Sequence, residues 1–225
     1  MRKIEGVLCD LDGTLVDSEK YHLEAWNILA ARGGDRPDGE WNLDCVGLPD
    51  RHTCEKARRL FPGLRKIPDP IKAKGDIFRE LVARSGTALA FPGVGERLER
   101  LAAAGFRLAV GTNSLRRNTL ATLEAAGLRA FFPAVVTLDS VANGKPAPDI
   151  YAAAAAETGL PPARCAVLED SPAGIVSGKS AGCLVLGILN TWSADRLPGA
   201  DRFFADTAGA LDWLLEGAAE REGEP

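Results

Sequence analysis

This sequence lacks the features that mark several classes of protein. It has no tract of lysine and arginine, and its net charge of −4 with a pI of about 5.4 predicts no basic surface for nucleic acid. It has no apolar run of the roughly 20 residues that a membrane span needs. Glu5 and Asp10 interrupt the first apolar run before it could act as a signal-peptide core. We therefore expect a cytoplasmic protein without nucleic-acid or membrane partners.

Cysteines are few, odd in number and scattered, with no C-x-x-C pair among them. This pattern argues against a disulfide framework and against a zinc site. We expect reduced thiols that lie mostly in the core. The five are Cys9, Cys45, Cys54, Cys165 and Cys183.

Apolar residues are plentiful, at 46% of the 225 residues, which is enough to bury a full core. Short apolar runs alternate with longer stretches of helical period, as is typical of βαβ units around a parallel sheet. The pattern predicts an α/β fold, a Rossmann-like parallel sheet with helices on both faces. The predicted strands are residues 4–9, 107–111, 134–137, 164–168 and 183–187.

One segment breaks this alternation. Residues 17–84 show helical periodicity without a convincing buried strand, which predicts an inserted all-helical subdomain. The catalytic core would then comprise residues 1–16 and 85–225. The charged, glycine-containing residues 217–225 are expected to form a disordered tail.

Two acids directly follow the first predicted strand. Asp10 and Asp12 are two residues apart, so both can face the same way at the strand's carboxyl end, where open α/β sheets bind ligands. An ordinary Asp-Gly turn with solvated acids is the alternative for this motif alone.

Other polar groups follow later strands. Thr112, Asn113 and Ser114 could cap a helix or bind an anion at its N-terminus, and Lys145 stands in a loop stiffened by prolines. Glu169 and Asp170 follow the fourth strand. The simplest alternative to a functional role is that they only cap the helix that follows.

Convergence of these strand ends would bring four carboxylates together. Two unit charges ~4 Å apart repel by roughly 4 kcal/mol at an effective dielectric near 20, so a cation is needed to balance them. All-oxygen ligands favour Mg²⁺ over zinc. A lysine and several hydroxyl or amide donors nearby would suit the site to a phosphate group.

These motifs resemble, in order, the four motifs of the haloacid dehalogenase superfamily. Within it, they are similar to the branch that contains β-phosphoglucomutase and small sugar-phosphate phosphatases, which carries a helical cap after the first motif. The motifs are Asp10-x-Asp12-Gly13-Thr14, Thr112-Asn113-Ser114, Lys145-Pro146 and Glu169-Asp170.

The resemblance implies a role for each motif residue. Asp10 would be the nucleophile that forms an aspartyl-phosphate, and Asp12 the general acid and then the general base. Mg²⁺ would be bound by Asp10, the Asp12 backbone carbonyl and Asp170, with Glu169 in or beside this ligand set. Phosphate binding is assigned to Thr112, Asn113, Ser114 and Lys145.

The resemblance is compatible with two different reactions. His22 and Lys74 are similar to cap residues of the mutase, whereas Gly47-Leu-Pro-Asp-Arg51 has one residue more than the mutase loop, whose arginine grips a second phosphate. The Thr112-Asn113-Ser114 triplet is more similar to the phosphatases. We therefore expect a monomeric, Mg²⁺-dependent phosphatase acting on a small phosphorylated metabolite. A phosphosugar mutase is the alternative, and a catalytically silent binding protein is a third.

Overall fold

The computed structural model describes residues 3–222, and the surroundings of side chains up to residue 217. All six strands form one parallel sheet in the order β3-β2-β1-β4-β5-β6, so β1 lies in the centre. Its four residues are all buried, as expected for a strand covered on both faces. The strands are β1 (Gly6–Cys9), β2 (Arg107–Gly111), β3 (Ala134–Val136), β4 (Cys165–Glu169), β5 (Leu184–Ile188) and β6 (Arg202–Phe204).

The predicted α/β sheet is confirmed, and its five predicted strands are present with ends that differ by at most two residues. The sixth strand, Arg202–Phe204, was missed. It has three residues, lies at the sheet edge beside β5 and is largely exposed, so it contributes no buried apolar run to the sequence. All five cysteines are buried and free.

Eight α-helices accompany the strands in the part of the chain that the structure describes. None of them is long and apolar enough to cross a membrane. They are α1 (Glu19–Arg32), α2 (Asp50–Leu60), α3 (Pro70–Ser85), α4 (Val94–Ala103), α5 (Arg116–Ala125), α6 (Asp149–Glu157), α7 (Pro172–Ala181) and α8 (Thr207–Glu222).

Helices α1 to α3 occupy residues 19–85, and we call this segment the helical insert. The two chain crossings that connect it to the sheet run side by side: Asp17 N–H donates to the Leu89 carbonyl at 2.9 Å, and Phe91 N–H donates to the Leu15 carbonyl at 3.1 Å. Its all-helical content matches the expectation for residues 17–84. Its independence as a cap domain stays a prediction.

The C-terminal end differs from expectation. Helix α8 continues to Glu222, so a disordered tail is wrong for residues 217–222, and residues 223–225 lie outside the described residues. The apolar residues Leu211 and Leu214 anchor the helix in the core. Beyond them, alanine, glutamate and arginine are strong helix formers that extend it.

Candidate active site

Three carboxylates meet where the central strands end. Asp10 directly follows β1, Glu169 is the last residue of β4, and Asp170 comes next. All three side chains are buried, and oxygen atoms from each lie within 4.8 Å of one another. The predicted convergence of these strand ends is therefore observed.

Lys145 supplies the ammonium of this cluster. Its Nζ donates to Asp10 Oδ1 at 2.8 Å and to Glu169 Oε1, and it lies 2.9 Å from the Tyr151 hydroxyl, which itself donates to Glu169 Oε1 at 2.7 Å. Tyr151, on α6, was missed in the sequence. Its signal was its place six residues after Lys145, in the first turn of a helix whose other residues are mostly alanine.

The cluster carries more negative than positive charge. Burial raises the pKa of Asp10 well above its usual range, and Glu169 and Asp170 add to the rise although Lys145 opposes it. Burial, followed by Glu169, raises the pKa of Asp170 to about 8. Three buried carboxylates facing one ammonium leave a deficit of positive charge that a divalent cation with oxygen ligands would neutralise. The residues present therefore fit a divalent metal ion.

Glu169 and Asp170 differ in how many hydrogen bonds their carboxylates accept from the protein. Glu169 Oε1 accepts from Lys145 and Tyr151, while Oε2 accepts from the Ser171 backbone N–H at 3.1 Å and its hydroxyl at 2.9 Å. Among the described residues, Asp170 accepts only from the hydroxyls of Thr14 and Thr191. Of the two alternatives left open for Glu169, these contacts favour a place beside the metal ligands. Thr191 carried no functional signal in the sequence. Thr14 was recognised only as part of the first motif, and Ser171 only as the residue after Glu169-Asp170.

Asp12 has a different environment from Asp10. Ser18 Oγ donates to its Oδ1 at 2.6 Å, and Ser114 Oγ donates to its Oδ2 at 2.7 Å. His22 Nε2 lies 3.3 Å from Oδ1. Burial raises the pKa of Asp12, but His22 and the two hydroxyls outweigh burial and hold this pKa below its usual range. Asp12 is therefore held as a carboxylate in this arrangement.

Asn113 and Thr112 stabilise the loops around the site. The Asn113 amide accepts from Lys145 N–H at 2.8 Å and donates to the Lys145 carbonyl at 3.2 Å and to the Gly47 carbonyl at 2.9 Å. It thus links the lysine loop to the helical insert. Thr112 Oγ1 accepts from the Ser114 N–H at 3.0 Å and so shapes the turn that carries Ser114.

Lys74 and Arg51 lie away from the cavity surface. Lys74 is fully buried on α3, where its Nζ donates to Asp50 Oδ1 at 2.8 Å and to His22 Nδ1. Arg51 is exposed on α2, because Asp50 takes the inward position of that turn. Neither Lys74 nor Arg51 lines the cavity described next, whereas His22 and Gly47 do.

One cavity lies between the sheet edge and the helical insert, and many of the side chains described above line it. The sheet side contributes acids, hydroxyls and the lysine, and the insert side contributes aromatic, amide and acidic groups. Its lining residues are Asp10, Asp12, Glu19, His22, Trp26, Asn42, Cys45, Val46, Gly47, Leu48, Asp50, Thr53, Thr112, Asn113, Ser114 and Lys145.

A parallel sheet with carboxylates, a lysine and hydroxyl donors at its carboxyl edge is an arrangement suited to phosphoryl transfer. The family model described as haloacid dehalogenase-like hydrolase matches residues 4–182, and the chain belongs to this family.

Curated relatives span almost the whole chain. Protein CbbY from Rhodobacter capsulatus is 36% identical over 95% of this chain and 93% of its own length. Hexitol phosphatase A from Escherichia coli is 34% identical over 88% of this chain and 89% of its own length.

Solved structures share the fold. The β-phosphoglucomutase from Clostridium difficile superposes with a TM-score of 0.82 at 21% identity, covering 98% of this chain and all 100% of its own. A CbbY variant from Rhodobacter sphaeroides in complex with xylulose-(1,5)bisphosphate superposes with a TM-score of 0.76 at 32% identity, covering 91% and 95%.

Proposed function

We propose that this chain is a Mg²⁺-dependent phosphatase that hydrolyses a small sugar or polyol phosphate through an aspartyl-phosphate on Asp10. The observation that carries the proposal is the contrast between two neighbouring carboxylates. Asp10 accepts from an ammonium beside two further acids, whereas Asp12 accepts from two hydroxyls and faces an imidazole. Two carboxylates kept in different environments are suited to different roles.

In the first step an Asp10 oxygen attacks phosphorus, and the bond from phosphorus to the ester oxygen breaks. Asp12 gives a proton to that leaving oxygen. Lys145 orients Asp10 and, with Ser114, binds the oxygens of the transferring group. Mg²⁺, held by Asp10, Asp170 and the Asp12 backbone carbonyl, would neutralise the charge of the phosphoryl group when bound.

In the second step water attacks the phosphorus, the bond to Asp10 breaks, and Asp12 accepts the water's proton. The hydrogen bonds described above stabilise the ionised form of Asp12, which is the form that this step needs. Proton donation in the first step requires at least one of these donors to turn away. Closure and opening of the helical insert, acting as a cap, would provide that change.

The substrate class is supported by the relatives. One is named a hexitol phosphatase, and a CbbY variant was crystallised with a sugar bisphosphate. Sugar and polyol phosphates are therefore the first compounds to assay. The family description as a hydrolase agrees with water as the final acceptor.

A phosphosugar mutase is the second candidate, because His22 and Lys74, both similar to cap residues of the mutase, contact each other and His22 lines the cavity. A mutase would pass the phosphoryl group to a sugar hydroxyl and exclude water. The exposed position of Arg51 weakens this candidate, since no arginine lines the cavity among the described residues.

The test is phosphate release from a panel of hexose, pentose and hexitol phosphates with Mg²⁺, read beside conversion of β-glucose 1-phosphate to glucose 6-phosphate. We expect release from at least one compound and no isomerisation. Asp10→Asn should abolish release, because an amide cannot form the acyl-phosphate. The matched control is Asp17→Asn, on the same loop but half-exposed and paired with Lys20. Isomerisation without release would establish the mutase, and release by Asp10→Asn would refute the nucleophile.

A further inference from the structure

The insert-side wall of the cavity differs in charge from the sheet-side wall. Among the described residues that line the cavity, Lys145 is the only lysine or arginine, and Asp10 and Glu169 already engage it. The insert-side wall instead presents Glu19 and Asp50. A phosphate held at Lys145 would therefore extend toward carboxylates.

Lys74 balances the charge of Asp50 and leaves Glu19 as the unpaired carboxylate of this wall. It lies behind Asp50, fully buried, with its ammonium divided between the Asp50 carboxylate and the His22 ring. Burial raises the pKa of Glu19, and the charges of Asp12 and Asp50 add to the rise although His22 and Lys74 oppose it. Glu19 faces the cavity as a carboxylate without a counter-ion of its own, and a second anionic group would be repelled there.

The same wall holds polar groups that the protein leaves without partners. Trp26 is 1% exposed, and its indole N–H has no hydrogen-bond acceptor. Asn42 is 7% exposed, and its side-chain amide makes no hydrogen bond with the described residues. The Glu19 carboxylate makes no hydrogen bond or ion pair with them either. Buried polar groups are nearly always paired, so the buried and unpaired indole N–H of Trp26 indicates a polar ligand in this cavity, where the Asn42 and Glu19 side chains lie on the same wall.

These groups define the chemistry of that ligand. An indole N–H can only donate, a carboxylate can only accept, and an amide does both. Hydroxyl groups satisfy all three, because each hydroxyl donates once and accepts twice. A carboxylate or phosphate would satisfy the indole but would face Glu19 and Asp50 without a proton to offer.

We propose, on the basis of the function proposed above, that the substrate is a monophosphate ester whose remainder is uncharged and hydroxyl-bearing, and that Glu19, Trp26 and Asn42 bind its hydroxyls and exclude a second anionic group. Glu19 accepts from a substrate hydroxyl, and Trp26 and Asn42 donate to substrate oxygens. Asp50, paired with Lys74, lies on the same wall. Specificity then comes from hydrogen bonding combined with charge repulsion.

The test compares substrates of equal length that differ in distal charge. Sorbitol 6-phosphate and 6-phosphogluconate share a six-carbon chain, and the second adds a carboxylate at the far end. Sorbitol 1,6-bisphosphate adds a phosphate there. We expect kcat/KM for sorbitol 6-phosphate to exceed both others by at least about tenfold. Equal or higher kcat/KM for either anionic compound would overturn the proposal.

A charge variant assigns the effect to a residue. Glu19→Gln removes the charge with little change of shape and should lower the preference over 6-phosphogluconate at least about threefold. Glu24→Gln is the matched control, since Glu24 lies on the same helix but is exposed and outside the cavity. An unchanged preference in Glu19→Gln, or an equal loss in Glu24→Gln, would refute the role of Glu19.

A second variant keeps the test informative if Glu19→Gln folds poorly. Trp26→Phe removes the indole N–H and should raise KM for sorbitol 6-phosphate at least about threefold, with a smaller change in kcat. An unchanged KM would contradict hydroxyl binding by Trp26. The inference and the proposed function fail in different ways. If p-nitrophenyl phosphate and every panel member are inert, the phosphatase assignment is refuted. If the substrates are hydrolysed without discrimination by charge, only the proposed substrate class is refuted.

Discussion

The Tyr151 hydroxyl lies 2.9 Å from Lys145 Nζ and donates to Glu169 Oε1 at 2.7 Å. Burial raises the pKa of Tyr151 well above its usual value, and Glu169 and Asp10 raise it further, so the phenol keeps its proton. It can therefore donate to Glu169 while accepting from Lys145. Tyr151 is a positioning residue that holds the ammonium between Glu169 and Asp10.

Removing this hydroxyl should slow turnover. In Tyr151→Phe, Lys145 loses one of its three partners, and we expect kcat to fall about tenfold with a smaller change in KM. The unfolding free energy should drop by about 1–2 kcal/mol. Steady-state kinetics and urea unfolding measure the two effects.

The control is Tyr21→Phe, which also removes a hydrogen-bonded hydroxyl, the acceptor of Ser85 Oγ at 2.7 Å, but outside the cavity. It should lose stability to a similar degree and keep its kcat. A Tyr151→Phe enzyme with unchanged kcat would show that Tyr151 only contributes to stability.

The catalytic edge was predictable because its chemistry follows from chain order. In a parallel sheet every strand ends at the same edge, so recognition of β1 and β4 placed Asp10, Glu169 and Asp170 at one edge, and the pairing of β1 with β4 brings them together. Local apolar runs were sufficient to recognise both. Strand β6 was not predictable in this way, because an exposed edge strand of three residues carries no buried run.

The insert-side wall of the cavity could not be predicted from the sequence, because it depends on contacts between residues that are far apart along the chain. Lys74 is separated from Asp50 by 24 positions and from His22 by 52, so its burial between them follows from the packing of α3 against α1 and α2. Asp50, not Arg51, lines the cavity after the Gly47 loop, which the spacing alone does not show. Tyr151 was missed for a similar reason, since an aromatic in an alanine-rich helix is typical of core packing.

Lys74 should be important for stability as well as for the site. Its ammonium is fully buried, and Lys74→Met would leave Asp50 without its counter-ion. We expect the unfolding free energy to fall by about 3 kcal/mol, as is usual when one partner of a buried pair is removed. Chemical denaturation of the purified variant measures this loss.

A double-mutant cycle separates the pair from simple packing. Asp50→Asn alone should cost at least as much, because it leaves the fully buried Lys74 ammonium without its counter-ion, and the double variant Lys74→Met with Asp50→Asn should recover part of the loss. Additive costs would mean that the two side chains do not interact energetically.

Stability of the metal-free protein should depend on pH. The pKa of Asp170 is about 8 in the folded protein and about 3.9 in an unfolded chain, so between these values the folded state holds a proton that the unfolded state has lost. Stability in chelator should therefore fall as pH rises from about 5 to about 8. Melting temperatures across this range measure the slope.

Mg²⁺ should reverse this trend, because its binding requires the carboxylate to be ionised. The rise in melting temperature on adding Mg²⁺ should grow with pH across the same range. Asp170→Asn should reduce the slope in chelator, to which Asp10 also contributes, and abolish the response to Mg²⁺. A metal-free melting temperature that rises with pH, or no Mg²⁺ effect at about pH 8, would contradict the predicted site.

Gly174 should tolerate no side chain, because the Glu169 carboxylate fills the space beside it. A Cβ at this position would lie 1.7 Å from Glu169 Oε1, and Glu169 cannot retreat while Lys145, Tyr151 and Ser171 hold it. We expect Gly174→Ala to lower the unfolding free energy by about 1–3 kcal/mol and to reduce kcat by displacing Glu169 from Lys145.

Gly95→Ala is the matched control for this substitution. Gly95 is also in the first turns of a helix, but its Cβ would meet only Leu128 Cδ2 at an ordinary 3.7 Å. Because alanine favours the helix, this variant should gain up to about 1 kcal/mol and keep its kcat. Changes of opposite sign in the unfolding free energy of the two Gly→Ala variants would then separate the effect of the Glu169 contact from the effect of helix propensity. A Gly174→Ala enzyme as stable and active as Gly95→Ala would mean that Glu169 moves freely and that Lys145 does not depend on its position.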